Sequence, residues 1–371
     1  MIIIITVAIL FILIVAVFIF MRQPKFGKAS SGDRLIKIKK SPNYRDGQFQ
    51  NLSKTPMLTE GASYSNMLKE FIFGKSKSSK PPSVLPSAKT DLLNLDPDKN
   101  ILVWFGHSSY FMQLDGKKIL VDPVFSGSAS PIKFTTRSFK GSDIYTADDI
   151  PEIDYLFITH DHWDHLDYET IIKLKSKIKK VITGLGSGAH LEHWKYDSNN
   201  IIELDWNEEV VLDKKVTVNT TPTRHFSGRG FKRNGSLWMS FILTTPAMKI
   251  FIGGDSGYDN HFTEIGNKFG PFDLAILENG QYNKSWKYIH MMPEEVVQAA
   301  IDLKAKKLMT VHWSKFALAL HDWDEPIMRV SEESKKKNVQ LIHPMIGEEV
   351  NLKEPGVQKL WWNLGKSAPV K

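Results

Sequence analysis

The stretch His160-Asp161-His162-Trp163-Asp164-His165 constrains this chain more than any other feature, because it packs three imidazoles and two carboxylates into one short loop. It is entered from the apolar run Tyr155 to Thr159, which has the pattern of a buried strand. A strand ending in a tight loop can turn alternate side chains into one pocket, and His160 and His162 have that spacing. Asp164 and His165 then fall on the far side of the turn, where they could hold a second ion. Neutral imidazole nitrogens with a hard carboxylate oxygen suit Zn2+, with iron or manganese as alternative occupants. The competing reading is a surface loop that is merely polar. Such a cluster repels itself and is costly without a cation between its members.

Partners for the loop stand at the ends of other apolar runs. His225 follows the β-rich run 215–220. Asp255 stands at the tip of the run 248–252, which Gly253 and Gly254 terminate, and His312 follows the run 308–311. Singly, each has a structural explanation as a hydrogen-bonded residue at a strand end. Together with His160, His162, Asp164 and His165 of the first loop they make five His and two Asp, the inventory for two metals sharing one bridging carboxylate.

The loop resembles the metal-binding signature of the metallo-β-lactamase superfamily. Further phrases resemble its branch containing N-acyl-phosphatidylethanolamine-hydrolysing phospholipase D: Val103 to Ser109, Leu120 to Ser126, Gly253 to Tyr258, Phe269 to Leu274, Tyr288 to Glu295 and His312 to Leu318. The resemblance runs from about residue 100 to 350. It implies an α/β fold, the αββα sandwich, and the apolar run Ile2 to Phe20 is expected to precede it as a single N-terminal transmembrane helix. The resemblance also implies that His160, His162 and His225 hold one Zn2+, that Asp164, His165 and His312 hold a second, and that Asp255 bridges both. A metal-bridging hydroxide would then attack the phosphorus of a phosphodiester, with Asp164 and Asp255 serving catalysis as well as ligation. His290 occupies the place where that branch carries a histidine near substrate, and could bind the phosphate or protonate the leaving group. A structural histidine before the helix opened by Pro293 is the alternative. Glu278 to Tyr282 are expected at the same mouth, with Gln281 and Tyr282 contacting substrate. Asp122 is expected to orient a ligating imidazole, and His107 to be structural or an outer partner.

The 371 residues, 42% hydrophobic, suffice for one large core with appendages, and the absence of cysteine removes disulfides and thiolate ligands from consideration. Ile2 to Phe20 is apolar except for Thr6, long enough to span a bilayer, and shows no small-residue cleavage site. Between Arg22 and Glu60 nine Lys/Arg face three Asp/Glu, so six of the seven excess positive charges lie there. The positive-inside rule would hold that flank, and with it the catalytic domain, in the cytoplasm. Those cations could also press the domain onto anionic headgroups, a solvated spacer being the plainer reading. Expected boundaries are 1–21 for the anchor, 22–99 for a basic juxtamembrane segment, an amphipathic helix near 63–73 and a linker from 74, and 100–365 for the hydrolase domain.

Strands are expected at 101–105, 110–114, 117–121, 155–159, 180–183, 215–220, 237–244, 248–252, 273–277, 307–311 and 339–342. Helices are expected near 167–179, 187–194, 293–304 and 326–337. His190, His193, His261, His321 and His343 are assigned to the surface. The function expected is hydrolysis of an N-acyl-phosphatidylethanolamine-like phospholipid on the phospholipase D side. The alternatives are a lactonase or other acyl hydrolase on the same metals, and a non-catalytic membrane-tethered binding protein. Expected partners are the phospholipid substrate, the bilayer and, as one option, a second copy in a homodimer. Nucleic acid is not expected, since the basic excess lies outside the core.

Overall fold

Runs such as Ile101–Trp104 and Leu274–Glu278 are buried on both faces, so each needs cover from two sides. In the computed structural model, which describes residues 1–364, this cover is two facing sheets with helices outside them. Helix α1 (Ile2–Met21), helix α2 (Gly32–Lys39), the short hairpin β1 (Tyr44–Arg45) and β2 (Gln48–Phe49), and helix α3 (Tyr64–Phe73) precede the sandwich. One sheet takes β3 (Ile101–Trp104), β4 (Tyr110–Leu114), β5 (Lys117–Val121), β6 (Ile153–Ile158), β7 (Ile178–Gly184) and β8 (Ile201–Leu204), with α4 (Tyr168–Leu174) and α5 (Gly188–His193) on either side of β7 in sequence. The other takes β9 (Glu209–Asp213), β10 (Val216–Thr221), β11 (Ser240–Thr244), β12 (Lys249–Ile252), β13 (Leu274–Glu278), β14 (Lys307–Val311) and β15 (Gln340–Ile342). Its crossovers carry α6 (His261–Phe269), α7 (Pro293–Asp302) and α8 (Glu325–Lys337), and β16 (Glu349–Asn351) returns to pair with β3 in the first sheet.

Period-two alternation sorts the first sheet's side chains between two cores. Leu102, Trp104, Ile119 and Phe157 face the second sheet, where Phe157 meets Phe241 edge-on at 5.1 Å. Ile101, Val103, Leu156 and Ile158 point outward onto a second core that includes Ile171 and Leu191 of α4 and α5. Strands β5 to β8 run parallel, and so do β12 to β15. Strands β3 and β10 are each antiparallel to a neighbour that is itself antiparallel to the next, so they share those directions. The segments after β3, β5, β6, β10, β12, β13 and β14 therefore emerge where chemistry can be assembled from separate strands.

Helix α2 and the hairpin of β1 and β2 were not anticipated before the sandwich, and neither were four short elements within it. Strands β8, β9 and β16 have three to five residues, and none is fully buried, so they lack an apolar run. Helix α6 contains Gly266, which breaks the pattern in sequence. In the fold it lets the helix approach α7 so closely that a Cβ there would lie 1.9 Å from Asp302 O. The basic segment is not a loose spacer. Ile38 and Phe49 are buried, Trp194 Nε1 donates to Pro24 O at 2.7 Å, and Arg34 reaches Glu192 and Glu203 at 2.6 Å each. The expected linker, although free of helix, buries Leu85 and Leu92 on the domain. The expected domain end at residue 365 lies outside the described residues.

Helix α1 buries none of its residues and has a mean hydropathy of 3.6, long and apolar enough to be a candidate membrane span. Its cations begin just past its end, where Arg22 lies over Phe18 and Lys25 over Phe20 at 4.4 and 4.7 Å.

Candidate metal centre

Each candidate ligand stands just beyond a strand. The loop 160–165 follows β6, His225 follows β10, Asp255 follows β12 and His312 follows β14. The turn into Asp255 needs glycine. A Cβ on Gly253 would lie 2.7 Å from Ile276 O, and Gly254, at φ +65°, would bring one within 2.9 Å of Met239 O. His312 (φ 69°) and Asp122 (φ 40°) hold left-handed backbone without being glycine, a strain that the surrounding contacts must maintain.

The ligand atoms converge in two groups that share no residue, and a third set, Asp255, His290 and His312, overlaps both. His160, His162, His225 and Asp255 form one, and Asp164, His165, His312 and His107 form the other, with all ligand atoms of each group within 4.8 Å of one another. Asp255 joins them. Its Oδ2 lies 3.2 Å from His165 Nε2, 3.7 Å from His225 Nε2 and 3.8 Å from His160 Nε2, while Oδ1 lies 3.2 Å from His312 Nδ1.

Hydrogen bonds behind the rings set the tautomers. His225 Nδ1 donates to Ile289 O at 2.9 Å, leaving the Nε2 lone pair to face His162 Nδ1 at 3.2 Å. His165 Nδ1 donates to Asp122 Oδ2 at 2.8 Å, and Asp122 is itself held by the Thr159 N–H and hydroxyl at 2.9 and 2.6 Å. Asp122 thus orients His165, as the sequence suggested. His107, fully buried, holds Asp164 Oδ2 at 2.9 Å, and Ser108 Oγ lies 2.9 Å from His312 Nδ1.

Electrostatics and orphaned atoms fit the residues to cations. Burial, with neighbouring imidazoles adding to it, holds His160, His225 and His312 well below the ordinary histidine range. Burial alone would raise Asp255 and Asp164, but the surrounding imidazoles, His165 foremost, hold both carboxyls far below the usual range. His165 resists burial and is raised by Asp255, Asp164 and Asp122. At His160, His225 and His312 neutral imidazoles face ionised carboxylates, the state in which such groups ligate, whereas His165 must give up a proton to take a cation. His165 Nε2 and Asp255 Oδ1 are buried and have no hydrogen-bond partner among the described residues, an arrangement that a cation satisfies.

Over this floor lies a cleft of about 270 Å3 whose walls include Met57, Met67, Phe71, Trp286, Ile289 and Leu318. His290 is on its wall, its ring 5.0 Å from His225 and 5.2 Å from His312. Behind it Glu278 Oε2 lies 3.6 Å from Nδ1. Burial pushes Glu278 up to about 7, and that carboxyl in turn raises His290 against its own burial. Gln281 lines the cleft, but its amide is occupied in holding the segment after His312, accepting from Leu318 N and Ala319 N and donating to His312 O and Phe316 O.

Tyr282 departs from the expectation. It turns from the cleft, stacks on His321 and donates to Glu325 Oε1 at 2.9 Å, because the chain reverses at Gln281, whose φ is +57°. His190 and His261 are corrected too, both being buried. His190 Nδ1 accepts from the Lys28 N–H at 3.0 Å, and Nε2 lies 3.3 Å from Asp161. His321 is half-buried and accepts from Gln281 N, His343 is half-buried beside Trp362, and His193 is exposed as expected. Supporting residues that sequence reasoning missed include Arg229, which donates to Asp161 O and Leu166 O and stacks over Trp163 at 4.0 Å. Another is Asn51, paired with the His225 backbone. Neither carries a sequence signal, since both act through backbone groups.

The chain matches the family described as "Beta-lactamase superfamily domain" over residues 117–313. It is 37% identical over 328 residues to an uncharacterized protein of Mycobacterium tuberculosis, covering 87% of this chain and 88% of that one. Over 103 residues, 28% of this chain and 78% of the relative, it is 59% identical to "Outer membrane protein RomA" of Klebsiella pneumoniae. The "N-acyl-phosphatidylethanolamine-hydrolyzing phospholipase D 1" of Caenorhabditis elegans is 30% identical over 243 residues, 59% of this chain and 65% of its own. Among solved structures, the metallo hydrolase Igni18 of Ignicoccus hospitalis shares the fold at a TM-score of 0.53 and 20% identity, covering 68% of this chain and 97% of its own.

Proposed function

The chain belongs to the β-lactamase superfamily as a metal-dependent hydrolase, and within it we propose a membrane-anchored phosphodiesterase that cleaves N-acyl-phosphatidylethanolamine-like phospholipids on the headgroup side. One observation carries this reading: the two ligand groups joined at Asp255 form the floor of a cleft whose walls are largely apolar. The nematode relative, an N-acyl-phosphatidylethanolamine-hydrolyzing phospholipase D by name, supports the substrate class. The apolar helix α1 supports a substrate that resides in a bilayer.

His160, His162, His225 and Asp255 would hold one zinc ion, and Asp164, His165 and His312 a second, with Asp255 between them; iron or manganese suits the same donors. Bound there, the ions supply Lewis acidity toward the phosphoryl oxygens and lower the pKa of water. The protein's own groups do the rest. Arg233 lines the cleft with no acidic partner among the described residues and faces an anionic phosphate. Met57, Met67, Phe71 and Trp286 shelter apolar chains and exclude water. His290, backed by Glu278, hydrogen-bonds the phosphate and delivers a proton to the departing alkoxide oxygen. The balance is hydrolytic: a water oxygen bonds to phosphorus, the bond from phosphorus to the ethanolamine oxygen breaks, and phosphatidic acid and an N-acylethanolamine leave. By the positive-inside rule the domain lies on the cytoplasmic side.

Hydrolysis in 18O-labelled water tests the bond assignment. Label should appear in phosphatidic acid and be absent from the N-acylethanolamine. Label in the alcohol would place the attack on carbon and overturn the reading.

A further inference from the structure

We propose that the loops carrying Phe134 and Phe231 form a bilayer-docking surface, inserting into the interface of the membrane that α1 enters, so that the metal cleft opens onto its headgroups. The proposal deepens the phospholipid reading and rests on it for the identity of the substrate, though not for its test. A second cavity, of about 480 Å3, adjoins the metal cleft and shares His162, Asp164, Phe226 and Arg233 with it. Its opposite wall is the end of the candidate span, Phe20 and Met21, continued by Phe26. Phe26 bridges the two edge-on, 5.2 Å from Phe20 and 5.1 Å from Trp163, which sits in the metal loop itself. The end of the anchor and the metal loop are therefore neighbours.

The level at which α1 leaves the apolar phase is marked by its first cations. Arg22 and Lys25 fold back over Phe18 and Phe20, as long cationic side chains do when their stems lie in lipid and their heads in water. Two loops stand at that level. Lys25 Nζ donates to Pro131 O at 2.7 Å, tying down the loop that carries Phe134. Gly230 lies so close to Met21 that a Cβ there would be 2.9 Å from its Cε, which sets the loop that carries Phe231 beside the end of α1. Yet the two phenylalanines project outward, 74% and 84% exposed, and Lys232 and Arg233 follow directly. On the metal cleft's other rim, α3 turns Leu68 and Ile72 outward, 60% and 61% exposed. Apolar tips flanked by cations, around a cavity walled by a membrane span, fit one occupant: an anionic lipid interface.

The full chain is to be reconstituted in vesicles of phosphatidylcholine and phosphatidylglycerol. Because the chain has no cysteine, Phe231→Cys, Phe134→Cys and, on α8, Glu332→Cys each accept a single environment-sensitive fluorophore. Labels at 231 and 134 should be quenched by nitroxide-bearing lipids and shielded from iodide, and the label at 332 should show the reverse. Labels at 231 and 134 that respond as the one at 332 does would overturn the proposal. Quenching requires no turnover. Inserted labels without phospholipid hydrolysis would sink the substrate reading and leave the surface standing, while hydrolysis with water-exposed labels would do the opposite.

Discussion

At Asp255 one carboxylate faces both ligand groups, its Oδ2 3.7 Å from His225 Nε2 in one and its Oδ1 3.2 Å from His312 Nδ1 in the other. Asp255→Asn keeps the volume and removes the charge, so it should abolish turnover and lower bound metal while far-ultraviolet circular dichroism stays unchanged; retained metal with retained activity would refute the bridging role. Asp122 acts one step back, through His165, and Asp122→Asn should cost about ten- to a hundredfold in metal affinity, measured by competition with a chromogenic chelator. His261 gives a pH signature apart from the metal groups. Burial lowers it to about 4, so its contribution to stability is complete above the ordinary value of 6.5 and is lost as pH falls toward 4. Over that window the loss is roughly 3 kcal/mol. Urea unfolding at pH 7 and 5 should show a shallower acid decline for His261→Gln than for the parent. The ligands were legible at this scale because their chemistry is written in residue type. The misassigned histidines, His190 and His261, differ from exposed ones only in what packs over them, which residue type does not record.

Arg229 shows how elements hold the metal loop. Its guanidinium joins Asp161 O and Leu166 O, which flank the segment from His162 to His165, to Lys25 O just past α1. A lysine cannot reproduce that fork, so Arg229→Lys should weaken metal binding and accelerate proteolysis of the chain between α1 and α2 together. Loss of one without the other would show that the two segments are not coupled through it. Helix α3 contributes to the cleft through Met67 and Phe71, the latter stacked on Trp286 at 6.0 Å. Phe71→Ser should raise KM for a long-chain phospholipid several-fold and leave a short water-soluble phosphodiester unaffected, as steady-state kinetics would register. Long apolar strands and helices with helical spacing were legible, and the ligand positions beyond β6, β10, β12 and β14 followed from them. Short β8, β9 and β16 were not, since three to five residues at a sheet margin need no distinctive pattern. Tyr282 shows the same limit, because a left-handed residue before it redirects its side chain.

Across the whole molecule, the apolar stretch at the start and the metal sandwich were both readable, and the contact between them was not. Sequence separates α1 from the loop 160–165 by some 140 residues, whereas the fold sets Phe20, Phe26 and Trp163 in one aromatic chain. The basic segment looked like a spacer because Glu192 and Glu203, which bind Arg34, are remote in sequence. If α1 is an anchor rather than a cleaved leader, intact-mass measurement of membrane-extracted protein should find it retained. The most direct test of the account is metal-dependent turnover by the full chain in mixed micelles, with N-acyl-phosphatidylethanolamine and a lactone panel assayed side by side by mass spectrometry. The account predicts phosphatidic acid and N-acylethanolamine that vanish on chelation and return with zinc. Lactone opening without phosphatidic acid would contradict it.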